Sequence, residues 1–240
     1  MPWRTYDAVL FDLDGVLTPT ADVHQRAWKR MFDEFLVPRG YAPFTDEDYL
    51  AYVDGRPRFD GVRTMLASRG IELPEGDHAE PPGDHSVSSL GNRKNELFQT
   101  VLRDEGIEPY PGSVRFLDHL ESLGAKVAVV SSSRNAREVL EASGLAPRFD
   151  VVADGVLAAT EHIAGKPAPD LFLAAADRLG VEAPHAVVVE DAMSGVAAGR
   201  AGGFGLVVGV DRGAGHEALH ANGADVVVDD LAELLESDRR

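Results

Sequence analysis

The chain has 240 residues, a formal net charge of −17 and no cysteine. That length fits one large domain or one domain carrying an insert, and 44% hydrophobic with 26% charged residues is a globular composition. The lack of cysteine excludes disulfide frameworks, thiolate zinc sites and cysteine nucleophiles. The acidic excess argues against nucleic acid or an anionic membrane surface as partner. Residues 1–7 are polar and the apolar run after them is short, so neither a signal peptide nor a membrane span is expected. The expectation is a cytoplasmic monomer, with an anionic small molecule as partner only where local cations or a metal reverse the sign.

In chain order, the first element is the run Val9-Leu10-Phe11, a short apolar strand that leads into Asp12-Leu13-Asp14-Gly15. After the turn Thr18-Pro19-Thr20, apolar residues recur every four positions at Val23, Ala27, Met31 and Phe35, which predicts a helix over 22–36. Two shorter helices are predicted over 46–53 and 59–69, joined by a Gly/Pro-punctuated basic turn at 54–58. Residues 74–89 are rich in Pro, Gly, Asp and Ser and read as a long loop before a helix over 93–104. No β-branched alternating run interrupts this span. Beyond Pro109 the pattern changes. Val-rich runs at 126–131, 151–153, 186–190, 206–208 and 225–228 alternate with helices at 113–123, 134–143, 170–179 and 194–201. Continuous apolar runs alternating with helices indicate a parallel sheet buried on both faces, a doubly wound, Rossmann-like α/β fold. Residues 1–19 and 109–240 are thus expected to form the α/β core, and 20–108 an inserted all-helical domain.

In such a sheet ligands bind at the carboxyl ends of the strands. Residues at those positions are Asp12 and Asp14, then Ser131, Ser132 and Ser133, then Glu190 and Asp191. Asp12 and Asp14, two apart on a strand, can share a face. Lys166 lies in Gly165-Lys166-Pro167-Ala168-Pro169-Asp170, where Pro167 biases it toward an extended backbone and Pro169 suits a helix start. Any one of these pieces alone reads as a polar turn. Together, four carboxylates need a divalent cation, and all-oxygen ligands favour Mg²⁺. A cation, a lysine, a hydroxyl and turn amides make a cradle for a phosphoryl group. Asp12 at the strand end is the better-fixed nucleophile, and Asp14 can be the general acid. Phosphate-monoester hydrolysis needs acceleration of up to ~10²¹-fold, of which acid catalysis supplies only ~10² to 10⁴. Charge stabilisation and in-line positioning must therefore provide most of it.

These motifs, in this order, resemble the haloacid dehalogenase-like superfamily of phosphotransferases across nearly the whole chain. The resemblance implies Asp12 as nucleophile and metal ligand, and Asp14 as acid/base with its backbone carbonyl on the metal. It further implies Ser131 and Lys166 on the phosphoryl group, and Asp191 with Glu190 in the metal shell. Within the superfamily the chain is most similar to the β-phosphoglucomutase subfamily, through His24, Arg26, Ala27, Trp28 and Lys29. There the histidine meets the acid/base aspartate when a helical cap closes. Arg58, Ser132, Arg134, Asn135, Trp28, Lys94 and Asn95 are then the implied substrate-binding positions. Pro19 and the long 74–89 loop depart from the subfamily pattern and leave the sugar open. The resemblance implies a mutase interconverting β-glucose 1-phosphate and glucose 6-phosphate. A sugar-phosphate phosphatase would share every core motif. A receiver-type signalling module uses similar groups, but on a later central strand and without a helical insert; a non-catalytic sugar-phosphate binder would show no turnover.

Overall fold

A computed structural model describes residues 3–53 and 58–236. The chain divides into two compact units, one of Met1–Thr20 with Ile107–Arg240 and the other of Ala21–Gly106. In chain order the elements are β1 (Ala8–Phe11), α1 (Thr20–Leu36), α2 (Asp46–Tyr52), α3 (Arg58–Ser68), α4 (Val87–Glu105), α5 (Pro111–Leu123), β2 (Lys126–Val130) and α6 (Ala136–Ala142). Next come β3 (Val151–Ala153), α7 (Gly155–Thr160), α8 (Asp170–Leu179), β4 (Ala186–Glu190), α9 (Met193–Ala201), β5 (Leu206–Val210), α10 (His216–Ala221), β6 (Val226–Val228) and α11 (Glu233–Glu236). No helix among the described residues is long and apolar enough to cross a membrane.

The six strands form one parallel sheet in the order β3-β2-β1-β4-β5-β6. β1 is central, with Phe11 in register with Val129 of β2 and with Val189 of β4. Its four residues are all buried, as a strand covered on both faces requires. On one face Leu10, Val130 and Val188 pack with Leu171 and Phe172 of α8. On the other, Phe11 meets Phe116 of α5 edge to face, with ring centroids 6.0 Å apart. Burial of side chains of this size contributes roughly 1.5–3 kcal/mol each, so β1 is fixed from both sides up to its last residue. The strand order reverses between β1 and β4, which is where the doubly wound topology opens a crevice at the strand ends.

The helical unit follows its apolar stripe. Val23, Ala27, Met31 and Phe35 of α1 are buried, with Trp28 and Phe32 beside them. Two expectations fail here. α4 begins at Val87, inside the segment read as loop, because Ser86 and Ser89 form a reciprocal capping box at its start. The small residues that looked like loop are packed instead: Ser88 and Ser89 are buried, and a Cβ on Gly91 would lie 2.6 Å from the Phe59 ring. Arg58 is the first residue of α3 rather than part of a turn; the preceding residues 54–57 lie outside the described ones. The shortened loop over 71–86 is tied down. Arg63 holds Glu75 at 2.7 and 2.9 Å, Asn92 Nδ2 donates to the carbonyls of His78 and Glu80, and the His78 ring stacks on Phe59 at 4.1 Å.

In the α/β unit, α6 is shorter than expected, starting at Ala136, and α7 was not expected at all. Asp154 caps α7, accepting from the amides of Val156 and Leu157 while Arg137 Nε reaches its other oxygen at 3.1 Å.

Candidate active site

Three adjacent strands deliver the site. Asp12 follows β1, its amide donating to the Val189 carbonyl at 2.9 Å, so the β1–β4 ladder fixes the backbone one residue past the strand. Glu190 ends β4 and Asp191 follows it; Ser131 follows β2 and its amide donates to the Ala153 carbonyl at 2.9 Å. Lys166 enters from the loop before α8, and the Lys166–Pro167 peptide is cis. Its Nζ donates to Asp12 Oδ1 at 2.5 Å and to the Val130 carbonyl at 3.0 Å, and lies 2.6 Å from Glu190 Oε1. One buried ammonium thus ties the end of β2 to the carboxylates after β1 and on β4.

The two aspartates of the opening motif have different surroundings. Asp14 accepts from the hydroxyl of Thr20 and, at 3.3 Å, from that of Ser131. Asp12 instead belongs to a cluster with Glu190 and Asp191, in which one carboxylate oxygen from each lies within 4.8 Å of the others. Among the described residues the Asp14 side chain is not part of that cluster, so its implied share in metal binding is left to its main-chain carbonyl. Glu190 Oε2 accepts from the amides of Asp191 and Ala192, both at 3.0 Å, which leaves Glu190 heavily committed to shaping the loop.

The cluster is dominated by buried negative charge. Burial raises the pKa of Asp12 well above the usual range; Lys166 opposes this, and repulsion from Glu190, Asp14 and Asp191 adds to it. Burial, then the charge of Glu190, pushes Asp191 up to about 7. Burial also raises Asp14, although the Thr20 and Ser131 hydroxyls and Lys166 hold it back. Burial works against the charge on Lys166, but Asp12 and Glu190 outweigh it and keep that lysine protonated above its normal range. One cation among so many desolvated carboxylates leaves an excess of negative charge that a divalent ion would neutralise. The donor set, hard and all oxygen, suits Mg²⁺.

The other expected residues fall in two places. In the α/β unit, Ser132 and Arg134 are exposed and Asn135 is half-buried, all in the turn between β2 and α6. In the helical unit, Lys94 is buried with its Nζ 2.6 Å from His24 Nδ1, and Asn95 is half-buried beside it on α4. Arg58 begins α3 with its guanidinium 5.1 Å from the Phe59 ring centre. Arg26 and Lys29 are exposed and paired with Glu105 and Asp33. Trp28 is 5% exposed, its ring stacked on Phe32 at 5.5 Å. Within the helical unit Trp28 is thus a packed side chain.

Three residues of the site escaped the sequence reading. Thr20 was part of a turn signal, and its bond to Asp14 depends on how the chain folds back after Thr18. A Cβ on Gly195, in α9, would lie 1.8 Å from Glu190 Oε1, so only glycine lets that carboxylate lie against the helix. Arg212 donates from Nε to the Gly15 carbonyl at 2.8 Å. It stands two residues past β5, where the strand-end rule applied to the fifth strand would have found it.

Comparison with known proteins agrees with this geometry. The family model described as haloacid dehalogenase-like hydrolase matches residues 6–203. A Mycobacterium tuberculosis protein named β-phosphoglucomutase is 52% identical over 238 residues, covering 95% of this chain and 91% of its own. A Bacillus subtilis protein of the same name is 33% identical, again over 95% and 91% of the two chains. A solved structure from Thermotoga maritima superposes with a TM-score of 0.78 at 28% identity, over 97% of this chain and 98% of that one. With its Asp12-Leu13-Asp14 motif at the end of the central strand of this sheet and these relatives along almost its full length, the chain belongs to the haloacid dehalogenase-like hydrolase family.

Proposed function

We propose that the chain is a β-phosphoglucomutase, a phosphotransferase that moves a phosphoryl group between the C1 and C6 oxygens of β-glucose through a bisphosphate. From the bisphosphate, Asp12 Oδ attacks the phosphorus on C1, the bond from that phosphorus to the C1 oxygen breaks, Asp14 gives its proton to that oxygen, and glucose 6-phosphate leaves. In the second half, Asp14 regains a proton from the C6 hydroxyl of an incoming β-glucose 1-phosphate as that oxygen attacks the phosphoryl group on Asp12, the bond from Asp12 to phosphorus breaks, and the bisphosphate is regenerated. Lys166 neutralises charge on the phosphoryl oxygens and holds Asp12 at the strand end. Asp12, Asp191 and Glu190 would hold Mg²⁺, which supplies further stabilisation of the charge that develops on the transferring group. The α/β unit carries this chemistry. Substrate selection is assigned to Arg134 and Asn135 and, in the helical unit proposed as its cap, to His24, Arg58, Lys94 and Asn95.

The observation that carries the reading is the division of labour between Asp12 and Asp14. One carboxylate lies on an ammonium in a cation-hungry cluster; the other stands apart, accepting from two hydroxyls. Environments that separate two carboxyl groups are how an acid and a nucleophile are made from the same residue type. The relatives named above favour a mutase over a phosphatase. Incubation with β-glucose 1-phosphate, Mg²⁺ and a trace of the bisphosphate tests it. Glucose 6-phosphate without free phosphate is expected, and stoichiometric free phosphate would overturn the mutase in favour of a phosphatase.

A further inference from the structure

Gly15 is gripped at every one of its backbone groups. Its amide donates to the Thr18 carbonyl at 2.9 Å, and its φ of +84° is one that side chains disfavour. A Cβ there would lie 2.0 Å from Asp191 Oδ2, so the carboxylate rests on the bare Cα. Its carbonyl accepts from Arg212 Nε. Arg212 is itself held in a fixed plane: Nη1 donates to the Asp229 carbonyl at 2.9 Å, just past β6, and the guanidinium carbon lies 3.9 Å from the centre of the Tyr110 ring. Its Nη2 is buried and, among the described residues, has no hydrogen-bond partner.

A scaffold contact would not need this group. An apolar side chain could pack on Tyr110 without burying an unpaired N–H, which is costly, so what the guanidinium adds here is its donors, above all the one to the Gly15 carbonyl. We infer that Arg212 is a positioning residue for phosphoryl transfer. By fixing the carbonyl of Gly15, the residue that follows Asp14, it holds the turn that carries the Asp14 carboxyl and the surface on which Asp191 lies. It touches neither substrate nor reacting atoms. The inference rests on the phosphoryl-transfer reading above, in which Asp14 is the acid and Asp191 a metal ligand.

The test compares Arg212→Met and Arg212→Lys with the unsubstituted chain. Mg²⁺ affinity of the substrate-free protein is measured by calorimetry, together with kcat, KM and the thermal midpoint. For Arg212→Met we expect kcat to fall roughly 10²-fold, as for a small misplacement of a reacting group. We expect Mg²⁺ affinity to fall about tenfold, as for the loss of a support behind a ligand, and KM to stay nearly constant. Millimolar guanidinium, filling the vacated space, should restore part of kcat in Arg212→Met and none in the unsubstituted protein. Arg212→Lys, which keeps the charge and one donor, should fall between. Unchanged kcat and Mg²⁺ affinity in Arg212→Met overturns the assignment. So does a loss that guanidinium does not relieve and that Arg212→Lys shares in full. If Arg212→Met does not fold, Arg212→Lys decides alone: Mg²⁺ affinity and kcat equal to those of the unsubstituted chain would refute the role. Failure of the functional reading is seen separately, as absence of phosphoryl transfer in the unsubstituted chain, where Mg²⁺ titration of the variants still reports on Arg212.

Discussion

Lys94 Nζ lies 2.6 Å from His24 Nδ1. An ammonium only donates, so Nδ1 accepts, and His24 is a neutral imidazole with its proton on Nε2. The ring stacks on Phe98 at 4.2 Å, and Lys94 Nζ lies 5.1 Å from the ring centres of both Trp28 and Phe98. Burial, then the charges of Lys94 and Arg58, hold the pKa of His24 well below 6.5. His24 is therefore a hydrogen-bond donor through Nε2 at neutral pH, not a cation.

The sign of the resulting pH dependence follows. In the unfolded chain the imidazole takes a proton near pH 6.5, and in the folded chain only well below that, so the unfolded state binds more protons in between. The contribution of His24 to stability is full above pH 6.5 and is lost as pH falls toward its folded pKa. Denaturant midpoints measured from pH 8 to pH 5 should converge between the unsubstituted chain and His24→Gln as pH falls. Parallel curves would show that His24 titrates normally.

Asp12→Asn should abolish phosphoryl transfer while leaving circular dichroism and the thermal midpoint nearly unchanged. The neutral amide cannot attack phosphorus, whereas Lys166 keeps Glu190 at 2.6 Å and the Val130 carbonyl as partners. Incorporation of labelled phosphate into the protein is the direct measurement; retained labelling would place the nucleophile elsewhere.

With Asp191 as a ligand, Mg²⁺ would have to displace a proton from it once the pH falls below about 7. Calorimetric titration should therefore show the Mg²⁺ dissociation constant flat at alkaline pH and rising by up to ~tenfold per pH unit below neutrality, with proton release on binding. A dissociation constant independent of pH between 5.5 and 7 would mean that Asp191 is already ionised or is not a ligand.

Thr20→Val keeps the shape of the side chain and removes the hydroxyl that Asp14 accepts from. Hydrogen bonds to charged groups contribute roughly 1.5–3 kcal/mol, and this one favours the carboxylate form, so its loss should raise the pKa of Asp14 further. The limb of the pH–rate profile that reports the protonated acid should move to higher pH. An unmoved limb would separate Asp14 from that ionisation.

Much of the α/β unit can be read from the chain because strands buried on both faces must be continuously apolar, and a residue that breaks such a run, as Asp12 and Glu190 do, marks a strand end. Lys166 was legible for a different reason: two prolines confine its loop. What the sequence hides is packing that small residues permit. Ser88, Ser89 and Gly91 have loop composition but lie in α4, because a capping box starts that helix and a ring needs the space. Thr20 and Arg212 act on Asp14 and Gly15 through contacts set by how the chain returns, a relationship no local spacing encodes.

The position of β1 has a consequence for how the protein is made. Its hydrogen-bonding partners lie far downstream, at Val129 on one side and Val189 on the other, so the strand that leads into Asp12 emerges well before either partner and is flanked on both sides only when β4 arrives. Pairings so distant in sequence slow folding, whereas Ala21–Gly106, compact by itself, can organise earlier during synthesis. A nascent chain stopped before β4 would carry an unpaired apolar edge and no assembled cluster of carboxylates. The carboxylate cluster can thus form only once Asp191, just past β4, has emerged, and the supports from Gly195 and Arg212 follow later still.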